Sequence, residues 1–151
     1  MITGGCQCGA VRFAAAGPLG RASLCHCRMC QKAFGGFYGP LVGLPGLRWT
    51  RGAPRYFASS NRVKRGFCGD CGTPLTFEPD GGVIDVAIGA LDDPAAARPA
   101  VQLATDQRLP WLGDMDALPG LSGAEAEAST AWRAQIVSRQ HPDHDTAVWP
   151  Q

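Results

Sequence analysis

Arg65-Gly66-Phe67-Cys68-Gly69-Asp70-Cys71-Gly72-Thr73-Pro74-Leu75 sets two thiols three residues apart, each followed by a glycine. This is the form of a zinc knuckle. The glycines permit a tight turn that aims backbone N–H groups at the sulfurs, and the turn supplies two of the four ligands a tetrahedral ion needs. The other two-thiol packet is Cys6-Gln7-Cys8-Gly9. A closed site of Cys6, Cys8, Cys68 and Cys71 would tie the first strand to the middle of the chain, clipping a loop of roughly 60 residues, where the chain-entropy gain is large. The remaining thiols sit in Cys25-His26-Cys27-Arg28-Met29-Cys30. Such near neighbours are poorly placed for disulfides, whose Cα separation and S–S torsion are restrictive. Seven cysteines therefore divide as four plus three: a closed structural centre beside a three-thiolate centre with one open position. If Cys25 and Cys27 share one extended face, His26 points away from the metal. The alternative is that His26 or an acidic residue closes this centre too, making it structural.

The 151 residues, 45% hydrophobic and 18% charged, fit one globular core. A formal net charge of +1 gives no whole-chain field for nucleic acid or an anionic membrane surface. The start, MITGGCQCGAVRF, lacks a charged n-region followed by an apolar core, and no segment approaches the ~20 apolar residues that span a bilayer. A reducing, cytoplasmic setting is expected, where clustered thiols bind metal more often than they form disulfides.

Twenty glycines and twelve prolines cut the chain into short pieces and disfavour long helices. Extended segments are expected at Ala10–Ala15, Ala22–Cys25, Phe37–Val42, Leu47–Thr50, Arg55–Ser59, Lys64–Phe67, Pro74–Phe77, Val83–Leu91 and Val101–Thr105, from β-branched and aromatic content bounded by turn residues. One helix is expected from Ser122, where Ser122-Gly123-Ala124-Glu125 has capping-box form and Ala128, Trp132 and Ile136 follow as a buried stripe, ending before Pro142. The division is a core over 3–117 and a helix and tail over 118–151. His141-Pro142-Asp143-His144-Asp145 reads as a solvated terminus despite its ligand-type residues.

Arg28, Lys32, Arg62, Lys64 and Arg65 flank the second and third packets and suit carboxylates, although a wet charged face explains them as simply. Phe34, Phe37, Tyr38 and Trp111 read as core rather than pocket wall. Ser59-Ser60-Asn61 and Gly35-Gly36 read as turns.

Three runs, Gly4–Phe13, Cys25–Gly36 and Arg65–Leu75, together resemble the glutathione-dependent formaldehyde-activating enzyme family, also called the CENP-V/GFA domain. The resemblance extends over roughly residues 3–112, with Pro99–Leu103 and Pro110-Trp111 matching later features; Gln102 stands where many members have His. It implies a mainly-β (α+β) β-tent fold of small curled antiparallel sheets around zinc sites. It also implies one zinc on Cys6, Cys8, Cys68 and Cys71 and a second, catalytic zinc on Cys25, Cys27 and Cys30. The activity implied is that of a carbon–sulfur lyase, joining the glutathione thiol to formaldehyde as S-hydroxymethylglutathione. Its partners are then a small-molecule thiol and a small aldehyde, with no nucleic acid and no membrane. The rival readings are a non-catalytic zinc module that binds protein or nucleic acid, and a soft-metal or redox site.

Overall fold

The computed structural model describes residues 1–149. Its strands are short, as the glycine and proline content requires, and they form two sheets. β1 (Ile2–Gly5), β2 (Arg12–Ala15) and β5 (Arg48–Arg51) make a three-stranded antiparallel sheet in the order β1-β2-β5. The larger sheet comprises β3 (Ala22–Cys25), β4 (Gly39–Gly43), β6 (Arg55–Ala58), β7 (Val63–Phe67), β8 (Pro74–Pro79), β9 (Asp85–Ala87) and β10 (Val101–Leu103). Its order is β10-β3-β4-β9-β8-β7-β6, and every pair is antiparallel except β10 with β3. That exception follows from the long connection after β9, which runs through two 3₁₀ turns before returning beside β3. The fold is the expected mainly-β, α+β class.

The core lies between the sheets. Phe13, Val42, Leu75 and Val86 are fully buried, and Trp49 stands edge-on to Phe13 with ring centroids 6.0 Å apart. Burying Phe13 contributes about 2–3 kcal/mol by apolar area alone. Gly4 is tied by a bridge to Leu91, joining the small sheet to the connection after β9. No helix among the described residues is long and apolar enough to cross a membrane.

Several elements differ from the sequence expectation. β1 was not expected, since Ile2–Gly5 carries only two β-formers and is held by its pairing with β2. The expected strand Val83–Leu91 is extended only over Asp85–Ala87 and then turns at Ile88–Ala90. A helix, α1 (Arg28–Phe34), follows the second cysteine packet where none was expected. The tail helix, α2 (Gly123–Arg133), is shorter than the pattern suggested. Ser122 makes no side-chain cap bond, and Trp132 and Ile136 are 65% and 53% exposed, so the expected buried stripe is absent. No described element covers that face. The following residues turn back instead: His141 is buried and Trp149 reaches the first cysteine loop, opposite to a solvated terminus.

Candidate metal centre

Two hairpins bring their turns together. In the first, Cys6 N–H donates to Val11 O and Gly9 N–H to Cys6 O. In the second, Cys68 N–H donates to Thr73 O and Gly72 N–H to Cys68 O. Each turn closes on a left-handed glycine, Gly9 at φ +79° and Gly72 at φ +77°, which relieves the strain a side chain would meet there. Gln7 N–H donates to Thr73 Oγ1 at 3.0 Å and stitches the loops to one another.

The sulfurs of Cys6, Cys8, Cys68 and Cys71 consequently lie within 4.8 Å of one another. Cys6 and Cys8 are 3.6 Å apart and Cys8 and Cys68 are 3.9 Å apart. A tetrahedron with Zn–S bonds of about 2.3 Å has edges of about 3.8 Å, so the donor set fits such an ion in type and spacing. Val11 N–H points at Cys6 Sγ at 3.3 Å, as a knuckle requires. Burial and neighbouring thiols push Cys6 up to about 12, and burial raises Cys8 as well. Burial also opposes ionisation of Cys71, but hydrogen bonds from Thr73 and from the Cys8 backbone outweigh it and pull that thiol down to about 6. A divalent cation bound there would deprotonate all four.

The second cluster is built by a strand, a two-residue turn and a helix. Cys25 ends β3, Cys27 is the N-cap of α1 with its sulfur accepting from Cys30 N–H at 3.4 Å, and Cys30 lies in the first helical turn. The three sulfurs lie within 4.8 Å of one another, and among the described residues no His, Cys, Asp or Glu joins them. The turn is clamped from both sides: His26 N–H donates to Leu103 O, and the buried Gln31 amide donates to His26 O. His26 itself faces away, as alternation suggested. It is fully buried, pairs through Nε2 with Gln102 Oε1 at 2.9 Å and lies edge-on to Tyr38. Gln102, at the position where the resemblance has His, is thus the histidine's partner and no ligand. Burial pushes Cys30 up to about 12 against the pull of Arg65, whereas the Cys30 N–H lowers Cys27 despite burial.

Of the five basic candidates, Arg28, Lys32 and Arg65 line one cleft of about 370 Å³ with Met29, Phe57 and Ser59. Arg62 and Lys64 do not: they pair with Asp80 and Glu78 at 3.3 and 3.2 Å. Phe34 packs against the core, but Phe37 and Trp111 are 42% and 46% exposed, contrary to a core role. They meet edge-to-face at 4.8 Å and line a second cleft with Arg28, Gln31 and Gln107. Gly35 ends α1 in the left-handed conformation, and Ser60 closes the turn between β6 and β7, as turn readings require. Ser59 does more, accepting a bond from Arg65 Nε.

The sequence reading missed α1. At seven residues it is too short for a periodic signal, although Gly35 as a stop signal and the run Met29–Ala33 of helix formers mark it.

A mainly-β chain whose hairpins and one short helix gather seven cysteines into a four-sulfur and a three-sulfur cluster, each able to hold a metal ion, defines a class of thiolate-centred metalloprotein. Residues 1–107 match the family described as glutathione-dependent formaldehyde-activating enzyme, and the chain belongs to that family. A crystal structure of a Rhodobacter sphaeroides protein, a structural-genomics target, is similar in fold: TM-score 0.50 and 22% identity, covering 66% of this chain and 98% of that one. No curated protein sequence matches this chain significantly.

Proposed function

We propose that this protein is a zinc-dependent carbon–sulfur lyase that makes or breaks the adduct of a small-molecule thiol, glutathione first among candidates, with a small aldehyde such as formaldehyde. Cys6, Cys8, Cys68 and Cys71 hold a structural zinc; Cys25, Cys27 and Cys30 hold a second, catalytic one. The observation that carries the reading is the three-sulfur cluster, which no fourth His, Cys, Asp or Glu joins among the described residues. Zinc bound there supplies positive charge that favours the thiolate form of an incoming thiol. Three cysteinates outweigh that charge and leave the centre formally anionic, which favours delivery of a nucleophile over polarisation of a carbonyl.

The chain's own residues supply the rest. The Leu103 and Gln31 bonds to the His26 backbone hold the turn so that Cys25 and Cys27 stay beside Cys30. Arg28 and Lys32, on the cleft wall, suit the thiol's carboxylates. In the synthetic direction the thiol loses its proton, its sulfur joins the aldehyde carbon, and the carbonyl π pair moves to oxygen, which takes up a proton. R–SH and CH₂O thus become R–S–CH₂OH with atoms and charge balanced, and the reverse path cleaves the same bond.

The test is exchange between formaldehyde and S-hydroxymethylglutathione followed by NMR. The wild type is expected to accelerate it and Cys27→Ser to return it to the uncatalysed rate while the four-cysteine centre keeps its metal. A Cys27→Ser chain that turned over as fast as wild type would refute the assignment, and a non-catalytic zinc module predicts no acceleration by either.

A further inference from the structure

Arg65 lies in β7 and is only 7% exposed. Nη2 donates to Cys30 Sγ at 3.3 Å, Nε donates to Ser59 Oγ at 3.0 Å, and the guanidinium carbon sits 5.0 Å from the centre of the Phe77 ring. The cross-strand register sets this arrangement, because Arg65 is directly opposite Phe77 on β8 and Phe57 on β6. Its neighbours on the chain have conventional partners: Arg62 has Asp80 and Lys64 has Glu78. The other buried guanidinium, Arg12, has Asp92 and Asp145. Among the described residues no carboxylate lies within ion-pair distance of Arg65.

A buried guanidinium keeps its proton and is costly without a counter-charge. Among the described residues the acidic group it contacts is the thiol of Cys30, itself 1% exposed. Three thiolates around a divalent ion carry a net charge of −1, which matches Arg65 in sign and size. A fourth thiolate would take the isolated centre to −2, but with Arg65 counted the change is from neutral to −1.

We propose that Arg65 is the built-in counter-cation of the three-cysteine centre and makes it selective for an anionic sulfur ligand over a neutral donor. The proposal rests on the reading of that centre as open to a thiol. A thiol enters as R–SH, its proton passes to the buffer, and the added negative charge is held against the guanidinium. A neutral nitrogen donor brings no charge and draws little from Arg65. Arg65 also lines two clefts that border α1 and β7, of about 370 and 340 Å³.

The test uses the full chain loaded with Co(II), whose visible absorption reports ligand exchange without turnover. Affinities are measured for 2-mercaptoethanol, which has no carboxylate for Arg28 or Lys32 to hold, and for imidazole. Arg65→Met is expected to weaken 2-mercaptoethanol binding by about tenfold to a hundredfold, the range of a lost charge-assisted bond, while imidazole affinity stays within about twofold. Arg65→Lys should restore most of the ratio. If Arg65→Met does not fold, Arg65→Gln, which keeps a hydrogen-bond donor without the charge, is read on the same ratio. Equal losses for both ligands, or none for the thiol, would overturn the proposal. A wild-type spectrum silent to thiol would refute the open centre, and with it this role of Arg65; a wild-type response with an unchanged variant ratio would refute Arg65 alone.

Discussion

Arg12 is 3% exposed and forks onto Asp92 at 2.8 and 2.6 Å, while Thr3 donates to the same carboxylate at 2.6 Å. Burial opposes ionisation of Asp92, but the Arg12 and Thr3 bonds outweigh it and hold the carboxyl below its ordinary range. A carboxyl depressed in the folded state adds stability that is complete above its unfolded value of about 4 and is lost as pH falls through the folded value. Asp92→Asn leaves Arg12 its second partner, Asp145, and should therefore cost about 2 kcal/mol at neutral pH, the scale of a lost charge-assisted bond, and should lessen the loss of stability in acid. Urea unfolding at pH 7 and pH 3 measures both; an unchanged pH slope would count against the pair. Neither Arg12 nor Asp92 stood out in the sequence, because a buried ion pair 80 residues apart leaves no local pattern.

Element by element, the two knuckles were the most legible feature, since ligand spacing is local and glycine marks the turn. Gly72 is the clearest case: nothing lies within 4 Å of a would-be Cβ, so the cost of a substitution there is conformational alone. Gly72→Ala should lower the stability of the metal-loaded protein by about 1–2 kcal/mol through its φ of +77°. Thermal unfolding at saturating zinc would show it, and a wild-type midpoint would contradict the account. Strands such as Ala22–Cys25 were readable from their apolar and turn-bounded runs. The short α1 was not, and neither was the parallel return of β10 beside β3, which depends on partners distant in sequence.

At the scale of the molecule, the residues after α2 fold back across the first knuckle. His141 N–H donates to Gln7 O at 2.7 Å, Trp149 Nε1 donates to Cys8 O at 2.6 Å, and Arg12 Nε donates to Asp145 at 3.0 Å. The first two satisfy carbonyls of the loop that carries Cys6 and Cys8, and the third ties the returning chain to β2, so together they hold that loop closed. The double substitution His141→Ala, Trp149→Ala removes the Trp149 bond and the imidazole that pairs with Thr146 Oγ1 and Arg51 Nη1, and should speed chelator extraction of the four-cysteine metal by several-fold, leaving the three-cysteine metal at its wild-type rate. Equal rates in both proteins would mean that the tail does not guard the centre. The sequence hid this because polar and aromatic residues near a terminus look the same whether solvated or folded back; only the acceptors waiting on the first loop distinguish the two.

The proposed function requires a closed four-sulfur centre beside a three-sulfur centre that takes its fourth sulfur from a substrate. Zinc K-edge X-ray absorption of the protein with two zincs bound, before and after glutathione, tests it most directly. About 3.5 sulfurs per zinc are expected at first, the mean of the four- and three-cysteine clusters, rising to about 4 with the thiol. A sulfur count unmoved by glutathione, or already at four without it, would contradict the open centre.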